Sequence, residues 1–111
     1  MTNIFAEIVN KRLPAEIVFE NDHLLAIKDK YPQAPVHLLI MPKKSYPNLQ
    51  SVPKEDLWIM GEIVACAQAL AEEFNVAGDY RLLTNNGHDA GQTIFHLHFH
   101  LIGGKRLGPM A

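Results

Sequence analysis

The sequence predicts an α+β fold with a mostly antiparallel sheet, and three stretches carry that prediction. Residues 16–20 and 23–29 are two β-rich runs joined by the turn pair Asn21-Asp22, which reads as a hairpin. Residues 53–74 carry apolar side chains at spacings of three and four, the period of an amphipathic helix. Residues 96–102, His96-Leu97-His98-Phe99-His100-Leu101-Ile102, alternate imidazole with bulky apolar side chains, the period of a half-buried strand.

The elements follow in chain order. Asn3 can cap a first helix over residues 4–12, with Glu7 early, Lys11 and Arg12 late, and Leu13-Pro14 ending it. After the hairpin, Lys30-Tyr31-Pro32-Gln33-Ala34-Pro35 is a stiff loop. Val36-His37-Leu38-Leu39-Ile40-Met41 is a third strand stopped by Pro42, with His37, Leu39 and Met41 on one face. Pro53 suits the first turn of the long helix, whose stripe is Leu57, Met60, Val64, Ala67, Ala71 and Phe74. Ile59, Ile63 and Leu70 widen that stripe, so the helix has apolar surface for its own sheet and for a second subunit. Tyr80-Arg81-Leu82-Leu83-Thr84 is a fourth strand, and the histidine row is the fifth.

Bulk properties bound the function. The chain has 111 residues, 48% apolar and 20% charged, which suits one globular domain over residues 1–111. A net charge of −2 gives no electrostatic case for nucleic acid or an anionic membrane. The single cysteine, Cys66, excludes an internal disulfide and any Cys-x-x-Cys metal site. The N-terminus lacks the basic and apolar regions of a signal peptide, and no apolar run has the length of a membrane span. The expected compartment is the cytoplasm.

A row of three histidines has two chemical readings. A strand rises about 3.3 Å per residue, so His96 and His98 stand roughly 7 Å apart at their backbones and can share a zinc ion with His37. His96 and His100 stand roughly 13 Å apart, so a metal uses two of the three and leaves one idle. In the second reading a neutral imidazole is a nucleophile, with one nitrogen attacking while the other N–H is held. The flanking histidines then hold the tautomer, bind phosphate or protonate a leaving group, and their mutual repulsion keeps the attacking ring neutral. Just upstream, Asn85-Asn86-Gly87-His88-Asp89-Ala90-Gly91-Gln92-Thr93 is a polar, glycine-bearing loop suited to cradling a phosphate.

The row has the form His-φ-His-φ-His-φ-φ and resembles the signature of the histidine triad (HIT) family. The likeness extends to Ile4-Phe5, Leu13-Pro14-Ala15, residues 31–37, Ile40-Met41-Pro42-Lys43-Lys44 and Asp89-Ala90-Gly91-Gln92-Thr93, which are similar to the Hint branch of histidine triad nucleotide-binding proteins. This resemblance implies a homodimer of five-stranded antiparallel sheets with two helices each, the sheet extended by dimerisation. It implies hydrolysis of purine nucleoside 5′-phosphoramidates, of the adenosine monophosphoramidate or aminoacyl- and lysyl-adenylate type, with no cofactor and no metal. The implied roles are His98 as nucleophile, His100 beside phosphate and leaving group, and His96 and His37 in support. Asp29 would bind the ribose hydroxyls, with Lys30 beside it on the rim. Asn85, Gly91, Gln92 and Thr93 would lie on the phosphate side, and Phe5, Ile8 and Ile27 would wall the base. Two alternatives stand beside it: a dinucleoside polyphosphate hydrolase, as in a sister branch, and a purine-nucleotide-binding adaptor with little turnover. The sequence departs from its relatives at Lys28 and Lys30, which make the rim basic, and in the tail after Gly104, which lacks a Trp-Pro-Pro ending.

Overall fold

The computed structural model describes residues 3–110. Five strands form one antiparallel sheet in the order β1-β2-β3-β5-β4. They are β1 Ile17–Glu20, β2 Leu24–Lys28, β3 Val36–Pro42, β4 Tyr80–Leu83 and β5 Phe99–Gly103, with helices α1 Ile4–Val9 and α2 Trp58–Glu73. The predicted fold class is therefore the observed one. The β1–β2 turn is held by Asn21, whose Oδ1 accepts from the N–H groups of His23 and Leu24 at 2.9 and 2.8 Å.

Both faces of the central strands are covered. Leu24, Ala26, Leu38, Ile40 and Leu101 point to one side and pack on α2. Leu25, Ile27, Leu39 and Met41 point to the other and pack with Phe5 and Ile8 of α1. Covering both faces removes from water side chains that contribute about 1.5–3 kcal/mol each when fully buried.

Four details differ from the sequence expectation. Helix α1 stops at Val9, because Lys11 takes a left-handed conformation (φ 61°) and the N–H of Arg12 reaches back to Glu7 O at 2.8 Å. Pro53 leads a separate short turn, Lys54–Asp56, and α2 begins only at Trp58. The buried stripe of α2 is Ile59, Ile63, Cys66, Ala67, Leu70 and Ala71, while Leu57 and Val64 are exposed. Finally, β5 begins at Phe99, so His96, Leu97 and His98 lie ahead of the ladder. The histidine face is not the open side of a half-buried strand either: His96 is fully buried and His98 only 9% exposed.

Candidate active site

The side chain of His98 is set by a bond within its own segment. Its Nδ1 lies 2.7 Å from the carbonyl oxygen of His96. A carbonyl only accepts, so Nδ1 carries the proton and Nε2 carries a free lone pair. Phe5 meets the ring edge-on, with centroids 4.8 Å apart. Burial pushes His98 below the ordinary histidine pKa, and the His96 carbonyl and the Asp29 charge only partly oppose it. His98 is thus a neutral imidazole with its Nε2 unprotonated.

His37 and His100 receive their tautomers from a backbone group. The N–H of Gln33 donates to Nδ1 of His37 at 3.0 Å, which places the His37 proton on Nε2. That nitrogen lies 2.9 Å from Nδ1 of His100 and 3.3 Å from Oδ2 of Asp29. Donation along the shorter contact makes His100 Nδ1 an acceptor and leaves the His100 proton on Nε2. Burial, then the neighbouring His98 and His37, push His100 down to about 4. His37 is also lowered by burial, with Asp29 opposing. With the His98 and His100 rings 5.2 Å apart, a lone pair and an N–H donor stand on adjacent imidazoles.

His96 does something different. Its Nε2–H donates to Pro42 O at 2.8 Å, and its Nδ1 has no partner. Burial first, and His98 after it, lower its pKa against the Pro42 bond. A fully buried, neutral ring tied to the last carbonyl of β3 is an anchor for the segment that carries His98.

Asp29 follows β2, and its Oδ1 accepts from the N–H of Tyr31 at 2.7 Å. Asp29, His37 and His100 bring three ligand-type atoms within 4.8 Å of one another. The protons argue against a cation there. A metal on Nε2 of His37 needs the proton on Nδ1, where it would face the Gln33 N–H. His96 and His98 are not part of that cluster, the one group of three such side chains among the described residues.

The glycine-bearing loop is shaped by Gly87 and Gly91, with φ of 96° and 100°, which flank the turn His88–Ala90. Gly91 packs next to Asn85: a Cβ there would lie 3.5 Å from Asn85 Nδ2. Thr93 is exposed and Asn85 half-buried. Gln92 departs from its expected phosphate contact. It is 2% exposed, its Nε2 donates to Pro47 O and Ile94 O at 2.7 and 3.1 Å, and its Oε1 accepts from the N–H of Gly87 at 2.8 Å. Its side chain staples the loop instead of facing a ligand. Phe5, Ile8 and Ile27 share one buried apolar cluster. Lys30 is exposed, its Nζ 6.0 Å from the Tyr31 ring centroid, whereas Lys28 is paired with Glu16 at 2.7 Å.

Sequence reasoning missed Gln33, Pro42 and Thr84, whose hydroxyl donates to His98 O at 2.6 Å. Gln33 and Pro42 act through the backbone and leave no side-chain signature. Elsewhere, a cavity of about 910 Å³ lies between the α2–β4 connection and residues 104–107, with Arg81, Lys105 and Arg106 in its lining and no histidine.

A neutral imidazole with a free nitrogen thus stands beside a second imidazole able to donate, on one face of an antiparallel sheet. The HIT domain model matches residues 10–107, and the chain belongs to the HIT family. It is 48% identical over 108 residues to a HIT-like protein of Chlamydia pneumoniae, covering 97% of this chain and 98% of that one. It is 39% identical over 108 residues to the purine nucleoside phosphoramidase of Escherichia coli K12, covering 96% and 91%. Its fold is similar to that of a HIT family hydrolase from Clostridium thermocellum, with a TM-score of 0.94, 42% identity and coverage of 98% and 96%. These similarities group the chain with the HIT family hydrolases.

Proposed function

We propose that the chain is a nucleotidyl hydrolase that cleaves the P–N bond of purine nucleoside 5′-phosphoramidates through a covalent nucleotidyl-histidine on His98. The observation that carries this reading is the 2.7 Å bond from His98 Nδ1 to the His96 carbonyl, which leaves Nε2 free to attack. The likeness to the Escherichia coli purine nucleoside phosphoramidase supports the substrate class.

In the proposed reaction, the phosphate sits against His100, and its negative charge raises that group's pKa so that Nδ1 takes up a proton from solvent while the His37 Nε2–H turns from His100 to Asp29 Oδ2, 3.3 Å away. Nε2 of His98 attacks the α-phosphorus. The P–N bond breaks, and His100 passes its proton to the departing amine. The positive charge that develops on the His98 ring is stabilised by the His96 carbonyl. Water then attacks phosphorus, the P–Nε2 bond breaks, and the water's proton returns to His100 as the nucleoside monophosphate leaves. Asp29 binds the ribose hydroxyls, with Lys30 on the rim beside it. Phe5, Ile8 and Ile27 wall the base, and Asn85, Gly91 and Thr93 lie beside the phosphate. The chain acts as a homodimer. The edge strand β4, the exposed Leu57 just ahead of α2 and the exposed Trp58 and Val64 of α2 support that reading.

The test is turnover of adenosine 5′-phosphoramidate by the wild-type protein and by His98→Ala. Release of AMP and amine by the wild type, with none from a folded His98→Ala, supports the proposal. Equal activity in the two would overturn it.

A further inference from the structure

Because β5 starts at Phe99, the segment that carries His98 has no strand partner, and the loop after β3 supplies one. Three carbonyls accept from the stretch between Gln92 and Leu97, one at the end of β3 and two in the loop. Pro42 O takes the His96 ring at 2.8 Å, Tyr46 O takes the Leu97 N–H at 2.6 Å, and Pro47 O takes the Gln92 amide at 2.7 Å. The His96 carbonyl that orients His98 is therefore held on both sides, by the end of β3 through its own ring and by the loop through the next residue's N–H.

The loop in turn is tied by the Lys43 N–H to His23 O at 2.8 Å, by the Gln50 N–H to Asn86 Oδ1 at 2.7 Å, and at Tyr46 itself by a side-chain bond. The Tyr46 hydroxyl donates to Asp56 Oδ2 at 2.6 Å, and Lys44 Nζ approaches the same oxygen at 3.0 Å. Asp56 lies in the short turn just ahead of α2, so the bond ties the loop to the start of the long helix. The Tyr46 ring is 7% exposed and packs with Val52 and Leu97.

We propose that Tyr46 and Asp56 are positioning residues for the His98 reaction, forming a latch that holds the loop carbonyls where they keep His96 and His98 aligned. The latch is built to last across neutral pH. Burial and then the Asp56 bond push the Tyr46 hydroxyl up to about 12, and the Tyr46 bond followed by Lys44 lowers the Asp56 carboxyl. Donor and acceptor thus keep their roles over the working range. The proposal rests on His98 as the nucleophile, and it adds two residues that touch neither substrate nor the reacting atoms.

The experiment compares wild type, Tyr46→Phe, Asp56→Ala, Asp56→Asn and the Tyr46→Phe/Asp56→Ala double variant on adenosine 5′-phosphoramidate. Tyr46→Phe keeps the packed ring and removes only the hydroxyl. The expected result is a kcat lower by between about tenfold and a hundredfold, with KM within about twofold, the pattern of a displaced reacting group. The double variant falls no further than either single one, because both remove the same bond. Asp56→Asn retains an oxygen acceptor and recovers most of the loss. Histidine ring ¹⁵N spectra supply a readout independent of turnover: His98 is a single Nδ1–H tautomer in wild type and a mixture in Tyr46→Phe. Unchanged kcat with an unchanged His98 tautomer would overturn the latch, as would a change confined to KM. A wild-type protein inactive on phosphoramidate would remove the proposed function, while the ring spectra would still decide the latch.

Discussion

The His98 imidazole donates from Nδ1 to the carbonyl of His96, two residues earlier, at 2.7 Å. This one bond decides which nitrogen is free, and burial of the ring keeps that nitrogen unprotonated. The acid limb of kcat/KM should therefore fall below the ordinary histidine value of 6.5, with activity retained as pH drops through 6.5. A pH–rate profile from 4 to 9 checks this. A limb above 6.5 would mean that the attacking ring is not the buried one.

The Gln33–His37–His100 chain of bonds predicts a specific defect. His37→Phe removes the donor to His100 Nδ1 and frees His100 to place its proton on either nitrogen. Turnover should drop by about a hundredfold, within the range for a mispositioned general acid. His98 should keep its tautomer, because its own partner is the His96 carbonyl. Ring ¹⁵N spectra resolve both histidines in one measurement.

Gln92 separates structure from binding. Replacing it with Ala leaves Pro47 O, Ile94 O and the Gly87 N–H without the partners they have now. At about 1 kcal/mol for each bond, the loss is about 3 kcal/mol, to be read from urea denaturation. Thr93→Ala, at an exposed position, should leave stability unchanged and raise KM.

The buried and half-buried histidines also set how stability depends on pH. His37, His96, His98 and His100 all have folded pKa values below the ordinary 6.5, His100 at about 4. Between the folded and unfolded values the unfolded chain holds more protons, so stability is full above 6.5 and is lost as pH falls toward 4. Each proton taken up on unfolding adds about 1.4 kcal/mol per pH unit to the slope. Chemical denaturation at a series of pH values should show the fall, and His100→Gln should make it shallower.

What the sequence made legible follows from which groups leave a pattern. The Asn21-Asp22 hairpin, the strand before Pro42 and the long helix are written in side-chain period, and all are present. The phase of α2 was not readable, because Leu57, Met60 and Val64 and the set Ile59, Ile63 and Leu70 are both apolar at helical spacing. Only the sheet decides which set is buried. The alternation through His96 and His98 mimics a strand, yet its partners there are isolated backbone carbonyls, which any residue possesses. For the same reason the Gln33 N–H was invisible, although it sets the tautomer of His37. Gln92 looked like a ligand contact because a polar loop residue reads the same whether it faces outward or inward.

The most direct test of the central claim is to quench wild-type protein in acid during turnover of adenosine 5′-phosphoramidate and map the trapped adduct by mass spectrometry. An adenylyl group is expected on His98, absent from His98→Ala. Turnover with no adduct on any histidine, or an adduct on His96 or His100 instead, would contradict it.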